Sequence, residues 1–369
     1  MRRVLVLPWG VHMRAWLLVL VGVAGAGCGD DEDLHRDGAL VDGGAIVDAA
    51  LPRDASADAD FVQPALLSET GLYSDIASKT VAAGVTEFAP RWQLWSDGAA
   101  KRRWYRLPPG AHIDSSNMDQ WRFPVGTQFW KEFARGGRRV ETRLLQKIGP
   151  GEDWFMVSFA WNAGETEAMA VPGGVVDEPG HDDIPQQSEC FDCHAPVRLQ
   201  SVVIGFSALQ LDDAARVGGS QLAALVAAGK LSAPPAGGSA TTPYFPLPAG
   251  DAATRDALGY LHANCGNCHN PGSDVKFAVD LELRLGLPLP PWSSSAAYRT
   301  AVDVVNQTAA PPPGASAISE PGMPGASALY LRLTSEDPVF RMPPLARELA
   351  DPVGGEAVRA WIASLPATP

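Results

Sequence analysis

The pattern of apolar and polar positions predicts a β-rich region in the first half of the chain. Four runs either alternate between apolar and polar residues or stay apolar, as half-buried and buried strands do. They cover residues 104–107, 127–133, 140–145 and 154–161. Pro and Gly clusters between these runs predict tight turns. We therefore predict a small antiparallel sandwich or barrel over residues 65–180, with most of its aromatic side chains in the core.

Helical spacing dominates the later part of the chain. Asp251 is a candidate N-cap for a helix over residues 252–264, and apolar residues between 358 and 365 recur at helical spacing. A shorter helix is predicted over residues 220–228, with Gly229 at its C-cap. The predicted fold class is α+β, with a β-rich antiparallel N-terminal domain followed by an all-α region.

Composition narrows the possible partners. The 369 residues carry a net charge of −13, which excludes nucleic acid as an expected partner and favours basic protein partners. Residues 28–64 are rich in Asp, Ala and Gly and contain few large apolar side chains. This composition is typical of a disordered acidic tether, because it cannot bury enough apolar surface to fold.

The N-terminus has the features of a targeting signal. Three arginines accompany an apolar stretch over residues 15–23, which is shorter than the roughly 20 residues a spanning helix needs. Residues 25–28, Gly-Ala-Gly-Cys, resemble a bacterial lipobox, in which the cysteine is lipidated. We predict a signal peptide over residues 1–27, lipidation of Cys28 and a lipoprotein anchored to a membrane in the periplasm or cell envelope. Ordinary cleavage that leaves Cys28 unmodified is the alternative.

The other four cysteines form two C-x-x-C-H motifs. The residues are Cys190, Cys193 and His194 in the first motif, and Cys265, Cys268 and His269 in the second. The number of such motifs expected by chance in this composition is about 0.001. Two cysteines three positions apart lie on one side of a helical turn. They can form thioethers with the two vinyl groups of one porphyrin while the adjacent histidine binds the iron. Zinc bound by both pairs and a redox-active dithiol are weaker alternatives.

Further motifs flank the two candidate haem sites. They occupy residues 94–99 (Leu-Trp-Ser-Asp-Gly-Ala), 123–127, 141–145, 260–272, 321–332 and 341–345. Over about residues 88–369 they resemble a family of bacterial dihaem c-type proteins of poorly defined role. The order of helix, haem motif, Pro/Gly-rich loops, methionine loop and terminal helix over residues 251–369 resembles class I cytochrome c. The resemblance implies two haem c groups, a first haem segment at 181–250 and electron transfer with an unidentified redox partner protein.

The second haem has two candidates for its sixth iron ligand. After His269 the sequence contains no histidine and only two methionines, Met323 and Met342. Met342 precedes two prolines and lies shortly before the predicted terminal helix, which resembles the distal loop of class I cytochromes. We predict Met342 as the ligand, with Met323 as the alternative. Histidine–methionine ligation would raise the reduction potential relative to two histidines.

The sixth ligand of the first haem stays open. Between the two motifs the sequence contains no methionine, and its only histidine is His262. The upstream candidates are His112, Met118, Met156, Met169 and His181. The third possibility is an iron without a sixth protein ligand.

Three functions follow from these alternatives. Two six-coordinate haems indicate an electron-transfer protein, which we favour, whereas an open first iron would resemble a dihaem peroxidase. A binding module, in which the β-rich domain docks a partner, is the third hypothesis. Four cations on the predicted strands could form a basic patch for such a partner, although a solvated face is the simpler interpretation. They are Arg102, Arg103, Lys131 and Arg143.

Overall fold

The structure is a computed structural model that describes residues 61–177, 183–194, 202–306, 308 and 310–366. The predicted signal peptide, the predicted lipidation site Cys28, most of the predicted tether and the candidate ligand His181 lie outside the described residues. The described residues belong to one compact unit. Within them, no helix is both long enough and apolar enough to cross a membrane.

Eight strands form a hairpin and one open sheet. The hairpin consists of β1 (Tyr73–Asp75) and β2 (Thr80–Val81). The sheet is an antiparallel meander of β3 (Thr86–Phe88), β4 (Ala100–Arg106), β5 (Gln128–Arg135), β6 (Arg138–Lys147), β7 (Trp154–Trp161) and β8 (Ala168–Ala170). The four predicted strands are confirmed as β4 to β7. The predicted sandwich or barrel is wrong, because sequence-adjacent strands pair in order and the sheet remains open.

Both faces of this sheet are buried. On one face Trp104, Trp130, Leu144 and Phe159 pack against residues that precede the sheet, Leu67, Leu72 and Tyr73. On the opposite face, which we call the motif face, Tyr105, Phe129 and Met156 pack against Val202, Phe206 and Leu211. Burial on two sides explains why β7 is a nearly continuous apolar run and does not alternate.

Seven helices lie in the later part of the described chain. They are α1 (Cys190–His194), α2 (Ala208–Leu211), α3 (Gln221–Ala227), α4 (Ala252–Asn264), α5 (Ala296–Ala301), α6 (Ala328–Thr334) and α7 (Pro352–Ser364). The molecule is therefore α+β. The predicted N-cap Asp251 is confirmed, because its Oδ1 accepts from Thr254 N at 2.7 Å. Helix α3 starts at the N-cap Ser220, whose Oγ accepts from Ala223 N at 3.2 Å, and its C-cap residue is Ala228, one position before the predicted Gly229.

Helices α4 and α7 pack directly against each other. Leu258 and Leu261 of α4 share a core with Val358 and Trp361 of α7, and all four are fully buried. A Cβ atom at Gly354 in α7 would overlap the ring of Tyr260 in α4. The glycine therefore allows the two backbones to approach closely at the end of α4 that leads into the second motif.

The cores cross the predicted domain limits. Phe206, which follows the first motif, is fully buried and touches the rings of Phe88, Tyr105, Trp121, Phe123 and Phe129 from the sheet region. Leu209 of α2 belongs to the same core as α4 and α7. The sheet consequently supports the segments that carry both motifs.

Candidate functional site

The first motif occupies the short helix α1, directly after a 3₁₀ turn. Neither Cys190 nor Cys193 is in a disulfide, and both are partly buried. His194 Nδ1 lies 2.6 Å from the backbone carbonyl of Val202. A carbonyl only accepts hydrogen bonds, so Nδ1 carries the proton and Nε2 keeps its lone pair. Burial lowers the pKa of His194 to about 4, which keeps the ring neutral at neutral pH.

Three cations form a row on the motif face beside this motif. In the strand register, Arg103 of β4 lies opposite Lys131 of β5, and Lys131 lies opposite Arg143 of β6. Arg143 forms a two-pronged ion pair with Glu141, at 3.0 and 2.5 Å. The Lys131 and Arg143 charges lie 4.6 and 4.5 Å from the centroid of the Phe133 ring. The row therefore presents positive charge towards α1.

This row corrects an expectation from the sequence. The four cations were expected to occupy a solvated face, but Arg103 is only 4% exposed, and Lys131 and Arg143 are partly buried. Their charges act on the first motif: Arg143 interacts electrostatically with Cys190, and Lys131 with His194. Strand alternation places Arg102 on the opposite face, where it forms an exposed ion pair with Glu87 at 2.7 Å.

The second motif begins where α4 ends. Cys265 is the C-cap residue of α4, and its carbonyl accepts from the backbone N–H groups of Cys268 and His269 at 3.0 and 2.9 Å. These bonds form one tight turn that holds both cysteines and the histidine. A Cβ atom at Gly266 would lie only 2.7 Å from the carbonyl oxygen of His262, so the turn has room for glycine alone. None of the four motif cysteines is in a disulfide.

Burial controls the ionisation of the second motif. It raises the pKa of the Cys265 thiol to about 12 and lowers the pKa of His269. The Leu281 backbone acts on His269 in the opposite direction, but burial outweighs it. His269 is consequently a neutral ring, which is the form that binds iron.

Residues 94–99 connect the sheet to the second motif. Trp95 N donates to Asn264 Oδ1 at 2.7 Å, immediately before Cys265, and Trp95 Nε1 donates to the Leu349 carbonyl at 3.0 Å. The Asp97 carboxylate accepts from Glu348 N at 3.0 Å and from Leu349 N at 2.8 Å. Sequence reasoning found this segment but gave it no role, because its partners lie about 170 to 250 positions away.

Met342 lies on the loop whose later part is held by these hydrogen bonds from Trp95 and Asp97, which we call the Asp97 clamp. Its backbone N–H donates to the Arg332 carbonyl at 3.0 Å, which ties the loop to α6. Arg347 donates to the Leu333 carbonyl at 2.8 Å and acts electrostatically on Cys265. Met342 is partly buried, whereas Met323 is 56% exposed. The described contacts therefore place the Met342 loop beside the second motif.

His262 has the opposite arrangement to His194. Its Nδ1 accepts a hydrogen bond from Leu285 N at 3.0 Å, and burial lowers its pKa to about 3. A neutral ring whose Nδ1 accepts must carry its proton on Nε2. In this arrangement Nε2 is a hydrogen-bond donor and has no lone pair for iron.

The upstream candidates for the first iron separate by burial. Met156 is buried and Met118 partly buried, and both belong to the core that Cys190 contacts. Met169 is 62% exposed, and His112 is also exposed. Among the described candidates, only Met118 and Met156 lie in the same core as the first motif.

A cleft lies between the second motif and the segment that follows the first motif. It encloses about 550 Å³ of space, open solvent included. Val203 and Gly205 line the side that follows the first motif, His262 and Asn267 line the side of the second, and charged side chains complete it. The charged residues are Arg103, Lys131 and Arg284.

The donor set of each motif fits a covalently attached haem. Each motif supplies two thiols outside any disulfide and one partly buried, neutral histidine. In the described ranges, no three His, Cys, Asp or Glu side chains come together as a group able to hold a bare metal ion.

Comparisons of the chain with protein-family models, curated proteins and solved structures found no match.

Proposed function

We propose that this chain is an exported dihaem c-type cytochrome that transfers electrons outside the cytoplasmic membrane. The observation that carries the proposal is the His194 ring: its Nδ1 is bound to the Val202 carbonyl, which leaves Nε2 for the iron. Metal-binding histidines typically donate their second ring nitrogen to a carbonyl in this way, because the bond fixes the ring and its tautomer. In the second motif, the turn at Cys265 holds the backbone that carries His269.

Each residue of the motifs has a defined role in this proposal. A haem c, when bound, supplies a one-electron change between Fe(III) and Fe(II). Cys190, Cys193, Cys265 and Cys268 attach the two haems as thioethers. His194 and His269 bind the irons, and Met342 binds the second iron from a loop held by hydrogen bonds to α6 and Asp97. The redox partner protein is unidentified.

The common cleft supports transfer between the two haems. Residues on its two walls belong to the segments that carry the first and second motifs. The segments that would hold the two haems are therefore neighbours in the fold. An all-α cytochrome c-like region over residues 181–369, and a lipid anchor at Cys28 that holds the protein to a membrane in the cell envelope, complete the proposal.

The deciding experiment counts haems in paired variants. Cys190→Ala/Cys193→Ala and Cys265→Ala/Cys268→Ala should each lose one of two haems, because each pair attaches its own porphyrin. Mass spectrometry of the intact protein measures the loss directly, and Met323→Leu is the control that should keep both haems. Two haems in either cysteine variant would overturn the assignment of that motif.

A peroxidase-like oxidoreductase is the second candidate. The observation that favours it is the His262 ring, whose Nδ1 is already an acceptor and whose Nε2 therefore carries a proton. With His262 no longer a candidate ligand, fewer residues remain that could occupy the sixth position of the first iron, which favours an open iron. Electron paramagnetic resonance of the ferric protein separates the two functions. Two low-spin signals support electron transfer, whereas one high-spin signal supports a peroxidase-like reaction with peroxide as substrate.

A further inference from the structure

The cleft contains two basic side chains of the sheet, Arg103 and Lys131, that form no ion pair with a carboxylate of the described chain. Arg103 is 4% exposed and donates to Gln93 Oε1 at 2.9 Å, a neutral partner. Lys131 lies directly opposite Arg103 on the neighbouring strand. Among the described residues, neither cation has a carboxylate within ion-pair distance.

Arg284 contributes a third charge from the other wall. It donates to the Asp119 backbone carbonyl at 3.0 Å, while its Nε is buried without a hydrogen-bond partner. The nearby Asp119 carboxylate accepts from Leu287 N at 2.9 Å. His262 adds a neutral donor, because its Nδ1 accepts from the Leu285 backbone and the proton sits on Nε2.

Such an arrangement is unfavourable unless an anion completes it. Like charges directly opposite one another on neighbouring strands repel, and buried charges without partners lose their hydration. Burial and the neighbouring arginines accordingly hold the pKa of the Lys131 ammonium well below its ordinary value, and a bound anion would restore the charged form. Arg143, the third member of the same row, shows the usual solution, because Glu141 neutralises it with two hydrogen bonds. Arg103 and Lys131 lack an equivalent carboxylate on the described chain.

We propose that the cleft is a carboxylate-binding site, in which Arg103, Lys131 and Arg284 hold the propionates of the haem on the first motif. The proposal rests on the proposed function, because it assigns part of the haem pocket. Each haem carries two carboxylates, and a guanidinium binds a carboxylate with two parallel hydrogen bonds. A small free dicarboxylate offers the same chemistry, so the experiment includes one measurement for each source.

The test uses two variants and a neighbouring control in the dihaem protein. Arg103→Met and Lys131→Met remove one charge each while keeping an unbranched apolar side chain. Arg102→Met is the matched control, since Arg102 is the adjacent strand residue on the opposite face and pairs with Glu87. Arg103→Gln and Lys131→Gln replace any methionine variant that does not load two haems.

The first measurement is resonance Raman spectroscopy of the haem propionate bending modes. If propionates fill the cleft, these bands shift in the Arg103 and Lys131 variants and stay unchanged in Arg102→Met. The second measurement is calorimetric titration with malonate. If a free dicarboxylate fills the cleft, wild type and Arg102→Met show saturable binding, which weakens about tenfold or more in the other variants.

The outcomes distinguish this proposal from the function on which it rests. A shift of the propionate bands, or malonate binding that depends on Arg103 and Lys131, supports a carboxylate site and identifies its source. Unchanged bands together with no such malonate binding overturn it. Haem mass is measured on the same samples: a wild-type chain without haem on its first motif overturns the proposed function, and calorimetry then still decides the carboxylate site.

Discussion

Two neutral histidines, the partly buried His194 and the buried His262, differ in the direction of one hydrogen bond. His194 Nδ1 faces a carbonyl, so Nε2 is free for a metal, whereas His262 Nδ1 accepts from a backbone N–H. Burial keeps both rings neutral by lowering their pKa values to about 4 and about 3. The partner of a single nitrogen therefore separates a candidate iron ligand from a candidate hydrogen-bond donor.

This difference predicts the result of replacing His262. In His262→Asn the side-chain oxygen can still accept from Leu285 N, so the ferric electron paramagnetic resonance signals of both haems should remain as in wild type. His262→Ala lacks an acceptor and should lower the free energy of unfolding by about 1–3 kcal/mol, because the buried Leu285 N–H loses its partner. A new high-spin signal in His262→Asn would instead identify His262 as an iron ligand.

At the level of elements, the second motif depends on contacts from distant segments. The Asp97 carboxylate holds the backbone of the Met342 loop, and Trp95 holds both that loop and the end of α4. Asp97 adopts a left-handed backbone with φ of 47°. Asn tolerates this conformation nearly as well as Asp does, whereas Ala does not.

Asp97 should therefore act as a positioning residue for Met342, the proposed iron ligand. Asp97→Ala removes the acceptor and strains the backbone, so we expect the weak far-red absorption band of methionine-ligated ferric haem to diminish or disappear. Asp97→Asn keeps an acceptor oxygen and should retain most of the band. Equal bands in wild type and Asp97→Ala, with two haems present by mass, would remove Asp97 from this role.

The close contact between α4 and α7 gives a second prediction for elements. Gly354→Ala should lower the free energy of unfolding by about 1–3 kcal/mol, because the new methyl group overlaps the ring of Tyr260. Tyr260 has little freedom to move away, because its hydroxyl is hydrogen-bonded to Asp351. Denaturant unfolding of the holoprotein measures the loss.

Gly355→Ala is the control for this substitution. A Cβ atom at Gly355 would be 3.3 Å from Thr334 Cγ2, a tight contact without overlap, and alanine favours the helix by about 1 kcal/mol. Its stability should therefore stay close to that of wild type. Equal losses of unfolding free energy in the two variants would contradict this prediction, because they would show that the Tyr260 ring moves aside and the overlap adds no cost of its own.

For the whole molecule, shared cores make the sheet a support for the segments that carry the two motifs. Phe206 lies where the chain returns from the first motif, and it is surrounded by aromatic rings of the sheet region. Leu209, three positions later, belongs to the core of α4 and α7. Disturbance of the sheet should therefore reach both motifs.

Phe206→Ala tests this coupling. The free energy of unfolding should fall by about 3–5 kcal/mol, because a fully buried ring is replaced by a cavity. Tryptophan fluorescence and haem absorbance should change at the same denaturant concentration. Val217→Ala, at a side chain that is 99% exposed, should change stability by less than about 0.5 kcal/mol. Separate transitions for the two probes would indicate independent domains.

The local elements and the candidate chemistry could be predicted from the sequence by itself. Alternation identified β4 to β7, an N-cap aspartate marked the start of α4, and the spacing of cysteines and histidines identified both motifs. These features depend on neighbours within a few positions, so local patterns contain them. The prediction of a solvated face for the strand cations failed because alternation does not reveal what covers each face.

Only the tertiary structure decided how these parts come together. Four features join residues that are far apart in the chain. They are the open sheet with two buried faces, the cation row beside the first motif, the Asp97 clamp and the cleft. The two histidine tautomers belong to the same class, since the deciding partners are backbone groups placed by folding. Local patterns predict which side chains carry chemistry, but the contacts that direct that chemistry arise only when distant segments pack together.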